Sequence, residues 1–280
     1  MPVLFDSLMR QSNKNFEWIL VNDASPDNTD EVVKEMLEKA DFPLHYHKKE
    51  TNGGKTTAVN LGIQFAKGEM WFMVDHDDYL GEDAVDVVNR YYPQIKDDEN
   101  LCAVTFLRHH HNGKPIGTQI NPDNVITDFS SYRSVYKITG DRAEVVKTEY
   151  FRKICPIPTF ENENNCLDNY AWLMLAKEYN SLFIANKIPV YYCEYLPSGR
   201  SLIGVYKSPL GEMLQWNLAA SMKQNNWRQK LNAYIYYWQQ FLVTENITFK
   251  KAYKDLSHKW GIVAIPFAYM KNIIKRLMNR

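Results

Sequence analysis

The run Met70-Trp71-Phe72-Met73-Val74 leads straight into Asp75-His76-Asp77-Asp78, which puts three carboxylates within four positions at the end of an apolar stretch. Five consecutive apolar residues predict a buried parallel strand, and strands of an open α/β sheet present their functional groups at their carboxyl ends, where the ligand crevice forms. Asp75 and Asp77 are two residues apart, so an extended chain puts them on one face, and a short kink lets both address one hard divalent cation. A helix cap at Asp77 or Asp78 is the alternative reading, because Gly81-Glu82-Asp83-Ala84-Val85 looks like the start of a helix. Capping needs one short polar residue, however, and not three acids.

The elements that must position these acids follow from the patterning. Phe16 to Val21 predicts a strand, and Asn28 lies three residues before Glu31 as a capping-box-like start for a helix carrying Val32, Val33, Met36 and Leu37. A strand at Leu44 to His47 follows. Gly53-Gly54 then opens a helix through Ala58, Gly62, Phe65 and Ala66 that leads into the Met70 strand. This βαβαβ order predicts a parallel sheet with right-handed crossovers. Leu101 to Leu107 is a further strand, and His109-His110-His111-Asn112-Gly113-Lys114-Pro115 has the composition of a hairpin turn. The three histidines alternate in direction along an extended segment, which argues against convergence on one metal ion.

With 280 residues, 45% hydrophobic and 24% charged, the chain has material for one large domain or one domain with a small appendage. Its 33 basic and 33 acidic residues cancel, so no global field points to nucleic acid. Cys102, Cys155, Cys166 and Cys193 are too widely and irregularly spaced for a zinc or redox motif, and read as buried thiols. The opening residues do not resemble a signal peptide, and no apolar run reaches the roughly 18 residues of a spanning helix. A cytoplasmic catalytic part is expected. Asn169 to Tyr179 has helical spacing, Leu182 to Ile184 and Val190 to Tyr192 read as short strands, and everything beyond Pro209 reads as helix. Trp260 to Met270 is an apolar run of 11 residues followed by Lys271, Lys275, Arg276 and Arg280 without an acid. It is too short to span a bilayer. Peripheral contact of residues 260–280 with the inner face of the plasma membrane is one expectation, and a terminal helix docked on the domain the other.

Four blocks in order resemble the nucleotide-binding half of a family 2 glycosyltransferase of the GT-A fold: Asn15 to Thr29; Asn52-Gly53-Gly54-Lys55 with Ala58, Asn60 and Gly62; Ala66-Lys67-Gly68-Glu69; and Val74-Asp75-His76-Asp77-Asp78. The similarity continues through Gly140 to Glu144, Phe160 to Trp172 and Glu194-Tyr195-Leu196. The resemblance implies a Rossmann-like, mostly parallel α/β sheet flanked by helices over residues 1–205, with 1–107 the nucleotide-binding half and 108–205 the acceptor half. Residues 206–280 are expected to form a helical C-terminal extension.

It also implies roles for single residues. Asp23 is expected to contact the base of the nucleotide, where a carboxylate can accept the imide N–H of uracil, so a UDP-sugar donor is expected. Lys55 is expected near the base or the diphosphate, with Gly53 and Gly54 permitting close approach of the backbone. A solvated surface lysine is the competing reading. Asp75 and Asp77 match the DXD motif, the first near the ribose and metal, the second binding the Mg²⁺ or Mn²⁺ that stabilises the departing diphosphate. Asp168 is the expected base for a hydroxyl acceptor, glycan or lipid-linked, in an inverting transfer. Glu163 is its rival, and a simple N-cap role for Asp168 is the bland alternative.

One departure stands out. The family opens with a central strand, whereas Met1-Pro2-Val3-Leu4-Phe5 already reads as the first helix. That strand is expected to be missing from these residues, which would leave unpaired backbone on its neighbours, so either the true start lies upstream, or another segment fills the gap, or the product is impaired. A catalytically silent nucleotide-binding module is therefore the non-enzyme alternative. A metal-dependent phosphohydrolase also ends a strand in Asp-x-Asp, but that pattern wants Thr or Val where this chain has Asp78.

Overall fold

Helix α1 (Pro2–Met9) is followed by strand β1 (Trp18–Asn22), helix α2 (Thr29–Lys39), strand β2 (Leu44–Lys48), helix α3 (Lys55–Phe65) and strand β3 (Met70–Phe72). A short β4 (Tyr79–Leu80), helix α4 (Ala84–Tyr91), the long β5 (Leu101–His109), β6 (Val125–Thr127), α5 (Ser131–Ser134), β7 (Arg142–Lys147) and α6 (Thr148–Ile154) come next. Then follow α7 (Asp168–Ala176), β8 (Asn180–Phe183) and β9 (Tyr191–Tyr192). The C-terminal part contains α8 (Pro209–Ser221), α9 (Trp227–Phe241), α10 (Phe249–Asp255), a 3₁₀ segment (Lys259–Ala264) and α11 (Ile265–Met278). The computed structural model describes residues 1–118, 124–136, 138–163, 167–185, 189–193 and 208–278. Cys166, the Glu194 to Leu196 block, the expected boundary at 205 and Arg280 lie outside them. Cys102 and Cys193 are buried and Cys155 is half-buried.

β1 and β2 pair parallel, joined by α2, as the βα alternation predicts. The larger sheet runs β3-β7-β5-β8-β6, with β9 beside the end of β5 and β4 beside β9. It is mixed, which corrects the expectation of a mostly parallel sheet. β5 is parallel to β8 and β9, but β7 runs antiparallel to both β3 and β5. The Met70 strand is correspondingly shorter than its apolar run, half-buried, and antiparallel to its one partner. β7 reaches it after a long excursion, so no short crossover forces the parallel sense.

β5 is buried along its length because strands flank it on both sides and helices cover both faces. Val104 and Phe106 point to a core shared with α1 and α4 (Leu4, Leu8, Val87, Val88), while Ala103 points to one shared with α3, α6 and α7 (Ile63, Phe151, Leu175). A third core holds the C-terminal helices together around Tyr234, Tyr237 and Trp238. Several start signals resolve differently in detail. Asn28 is the N-cap position of α2 but makes no side-chain cap bond; Asp27 instead accepts from the Thr29 amide at 3.1 Å. α4 starts after Asp83, so neither Asp77 nor Asp78 caps it. The histidine segment forms the expected tight turn, with the His110 amide donating to the Lys114 carbonyl at 2.8 Å and Gly113 at φ +78°.

The sheet is split between β1 and β3. α3 roofs both β1 and β3: a Cβ at Gly62 would lie 3.4 Å from Val21, 3.5 Å from Trp71 and 3.8 Å from Ile19. Yet β1 pairs only with β2, and β3 only with β7, among the described residues. Between them is a cavity of about 1950 Å³, lined by both strands, by Leu4 and Leu8 below, and by Ala58 and Gly62 above. The Trp18 amide donates to Pro43 and the Asn22 carbonyl accepts from Lys49, so the amides of Ile19 and Val21 face the cavity. The Glu69 carbonyl accepts from Thr148, which by the same alternation turns Met70 and Phe72 towards it. Native-state hydrogen exchange should therefore be fast at Ile19, Val21, Met70 and Phe72 and slowest at Val104 and Thr105 in β5. Equal protection at both sets would contradict a split sheet.

Candidate active site

Asp75 follows the last residues of the Met70 run, and the turn after it is fastened by a distant side chain. The Asp75 amide donates to the Tyr191 hydroxyl at 3.1 Å, and that hydroxyl donates to Asp78 Oδ2 at 2.6 Å. Tyr191 is fully buried on β9, with the Arg108 guanidinium 4.4 Å from its ring centre. Burial pushes the Asp78 carboxyl up to about 6, against the pull of the Tyr191 hydrogen bond. Asp78 is thus committed to shaping the turn. Asp75 is turned inward and Asp77 is exposed.

Lys55, the first residue of α3, reaches two acids from separate parts of the chain. Its Nζ lies 2.6 Å from Asp75 Oδ1 and 2.7 Å from Asp168 Oδ2. Burial alone would lower its pKa, but the Asp168 and Asp75 carboxylates outweigh it and raise it well above the usual lysine value. Burial would likewise raise Asp75, and the Lys55 ammonium more than reverses that. Lys55 is therefore no solvated surface lysine. Next to it, Thr56 Oγ1 accepts from the Leu167 amide at 3.0 Å, which ties the start of α3 to the start of α7. Asp168 is the first residue of α7, the N-cap being Leu167, and it makes no cap bond.

The rival Glu163 is used elsewhere. It is buried, and its carboxylate accepts from the Leu210 amide at 2.6 Å and the Gly211 amide at 3.1 Å, anchoring the first turn of α8. Asp23, after β1, accepts from the Gly54 amide at 2.7 Å and the Gly53 amide at 3.1 Å and contacts the Lys49 ammonium. Gly54 has φ +86°, which favours glycine, and a Cβ at Gly53 would lie 2.7 Å from Thr57 Oγ1, so a larger residue there would have to displace the Thr57 and Lys49 side chains. Asp23 thereby holds the glycine loop at the head of α3. The structure brings Lys55, Asp75 and Asp168 together, with Asp77 on the rim and Asp23 behind the loop. All five line one cavity.

Tyr191 and Arg108 were not legible as site residues, since nothing in their local sequence marks a hydroxyl or guanidinium meant for a turn far away in the chain. Glu144 on β7 borders the same cavity, where burial pushes its carboxyl up to about 7 while Arg108 pulls it down. Its folded value lies above the ordinary 4.5. Its contribution to stability is thus fully present below about 4.5 and lost as pH rises through about 7. Glu144→Gln should stabilise the fold at pH 8 by on the order of 2 kcal/mol, read as a higher Tm, and leave the Tm unchanged at pH 4. Equal melts of both proteins at pH 8 would refute this.

Among the described residues no three or more His, Cys, Asp or Glu side chains converge as a metal cage, the histidine run included. A Mg²⁺ or Mn²⁺ carried mainly by substrate phosphates needs only one or two protein carboxylates. Asp77 suits that arrangement, being exposed and without a described hydrogen bond or ion pair, whereas Asp75 is held by Lys55. The donor set therefore fits a metal shared with a diphosphate and does not fit a preformed protein site.

The acidic strand end, Lys55 at the start of α3 and the Asp168 carboxylate thus line one cavity. The model of glycosyl transferase family 2 matches residues 1–146, just over half of the chain. The chain belongs to that family. The minor teichoic acid biosynthesis protein GgaB of Bacillus subtilis (strain 168) is 29% identical over 130 residues, 42% of this chain and 14% of that protein. The chondroitin synthase of Pasteurella multocida (strain Pm70) is 34% identical over 115 residues, 41% of this chain and 11% of that protein. The aligned regions thus cover only about a seventh or less of these relatives' lengths. The crystal structure of S. aureus TarS 1–349 in complex with UDP superposes with a TM-score of 0.61 at 17% identity, covering 95% of this chain and 77% of that one. This likeness establishes the GT-A type of fold, with the helical C-terminal region included.

Proposed function

We propose that this chain transfers a sugar from a nucleotide-diphosphate donor, a UDP-sugar, to a hydroxyl of a glycan or lipid-linked acceptor, with inversion, in cell-surface polysaccharide synthesis. The observation that carries the reading is the Lys55 bridge, in which one ammonium joins the strand-end Asp75 to Asp168 on α7. Relatives named for teichoic acid and chondroitin synthesis support the polysaccharide setting. Residues 1–107 form the donor half, 108–205 the acceptor half and 206–280 an extension.

In this reading the Gly53-Gly54 loop, held by Asp23, offers close backbone approach to the nucleotide, and Asp23 lies where a base contact is formed. Asp75 orients the ribose side of the donor, and Lys55 supplies positive charge towards the diphosphate. Asp77 holds the Mg²⁺ or Mn²⁺. That ion, when bound, offsets negative charge developing on the leaving diphosphate. Asp168 takes the proton of the acceptor hydroxyl as it attacks the anomeric carbon, and Lys55 keeps its carboxylate oriented until the acceptor arrives. The chain acts in the cytoplasm.

A second reading, nucleotide binding without turnover, is favoured by the split sheet, because the cavity between β1 and β3 runs into the donor site. The test is a calorimetric titration of UDP with Mn²⁺ and again with EDTA, followed by release of UDP from UDP-sugars. Metal-dependent binding with turnover is expected. Binding without turnover on any donor would favour the silent module, and absence of binding would remove the donor assignment altogether. A phosphohydrolase is disfavoured because Asp78 is committed to Tyr191.

A further inference from the structure

The C-terminal 3₁₀ segment and α11 are amphipathic in the wrong sense for a helix that merely caps a soluble domain. Their inward face is small: Gly261, Ala264 and Ala268 are buried, and a Cβ at Gly261 would meet the Tyr234 ring at 2.8 Å. Polar anchors complete it, with Gln239 donating to Asn272 Oδ1 at 2.9 Å and the Lys271 ammonium 3.7 Å from the centre of the Tyr236 ring. The large apolar side chains point outward. Val263, Phe267, Met270 and Ile274 are 54%, 47%, 55% and 54% exposed, and they follow one another at helical spacing. Trp260, Ile262, Tyr269 and Ile273 flank that stripe, all exposed. Scattered exposed apolar residues are ordinary, but a contiguous face of this kind is not.

Charge selects what covers it. Residues 256–280 contain Lys259, Lys271, Lys275, Arg276 and Arg280 and no aspartate or glutamate. Two copies facing each other here would bring together two basic segments without an acid, whereas a negatively charged surface neutralises them. Trp260 and Tyr269 pair an apolar ring with a polar tip, the chemistry of a water–lipid boundary. Among the described residues no helix is long and apolar enough to cross a membrane. We infer that the outer face of the 3₁₀ segment and α11 is a docking surface for an anionic lipid bilayer, with α11 lying in the plane of the interface. The inference is independent of the donor reading.

The test uses the whole chain and two vesicle types, phosphatidylcholine alone and phosphatidylcholine mixed with phosphatidylglycerol, in a co-sedimentation assay. Binding to the anionic vesicles only, weakening as salt is raised and accompanied by a blue shift of tryptophan fluorescence, is expected. A variant carrying Phe267→Ser, Met270→Ser and Ile274→Ser should lose at least tenfold in vesicle partitioning. Its Tm and UDP affinity should stay unchanged, because these side chains already face solvent. Lys275→Glu with Arg276→Glu should weaken partitioning while leaving the apolar stripe in place. Equal binding to both vesicle types, no binding to either, or a concentration-dependent dimer that the serine variant abolishes would overturn the inference. None of these outcomes bears on UDP binding, so failure here and failure of the donor reading are separable.

Discussion

Asp168→Asn is expected to retain UDP binding and to lower turnover by about 10²- to 10⁴-fold, the range that general-base assistance contributes. The replacement is close to isosteric, and an amide oxygen can still accept from the Lys55 ammonium that lies 2.7 Å from the native carboxylate. The Thr56 hydroxyl still holds Leu167, so the start of α7 stays where it is. What disappears is the ability to take a proton. The loss should fall on kcat, with KM for the donor nearly unchanged, because Asp168 acts on the acceptor hydroxyl. Release of UDP measured against donor concentration reads both quantities. The contrast is Glu163→Gln. Its carboxylate accepts from the first amides of α8, so that change should destabilise the fold by about 1 to 2 kcal/mol, read as a lower Tm, without a comparable loss in kcat. A fully active Asp168→Asn protein would move the base elsewhere.

Asp77→Ala is expected to remove the Mn²⁺-dependent part of UDP affinity entirely and to leave the fold intact. The side chain is exposed and makes no described hydrogen bond or salt bridge, so the change should lie within the roughly ±0.5 kcal/mol of ordinary surface substitutions. Its neighbours would answer differently. Asp78 is bound to Tyr191 inside the turn, and replacing it disturbs the backbone that aims Asp75. Removing Asp75 strips one of two carboxylates from a partly buried ammonium. Three acids that look alike in sequence thus divide into an exposed, a bridging and a structural one. Titrations of UDP into Asp77→Ala with Mn²⁺ and with EDTA should give one and the same affinity. A persisting difference between them would move the metal to another residue.

Much of the first half was legible because its signals are local. Apolar runs and glycines define β1, β2 and α3, and Gly54 at φ +86° opens α3 where Gly53-Gly54 predicts it. Leu101 to Leu107 lies inside β5, whose burial on both faces matches its unbroken apolar sequence. The helical character of Met1 to Phe5 was equally legible, and those residues form the start of α1. What failed was strand direction. Nothing within Met70 to Phe72 says that its partner will be β7 or that the pairing will be antiparallel. Strand sense depends on which distant segment fills the neighbouring place, and period-2 patterning is the same in both senses.

The site divides in the same way. Residue types and short spacing were enough to nominate Asp75 and Asp77, because carboxylates at a strand end have few uses, while Asp23, Lys55 and Asp168 were nominated by the family resemblance. Only the tertiary structure could decide between Asp168 and Glu163 as neighbours of the strand-end acids. Both lie in one short segment, and which of them meets Lys55 is set by how α7 and α8 pack. It alone made Tyr191 the clasp of the acidic turn and turned the large side chains of α11 to solvent. Sequence by itself determined the elements, the family likeness and the chemical inventory, since those depend on neighbours along the chain. Partnership across space was left to the fold, because the energy of an ion pair or a buried hydroxyl depends on distance and burial that no local pattern encodes.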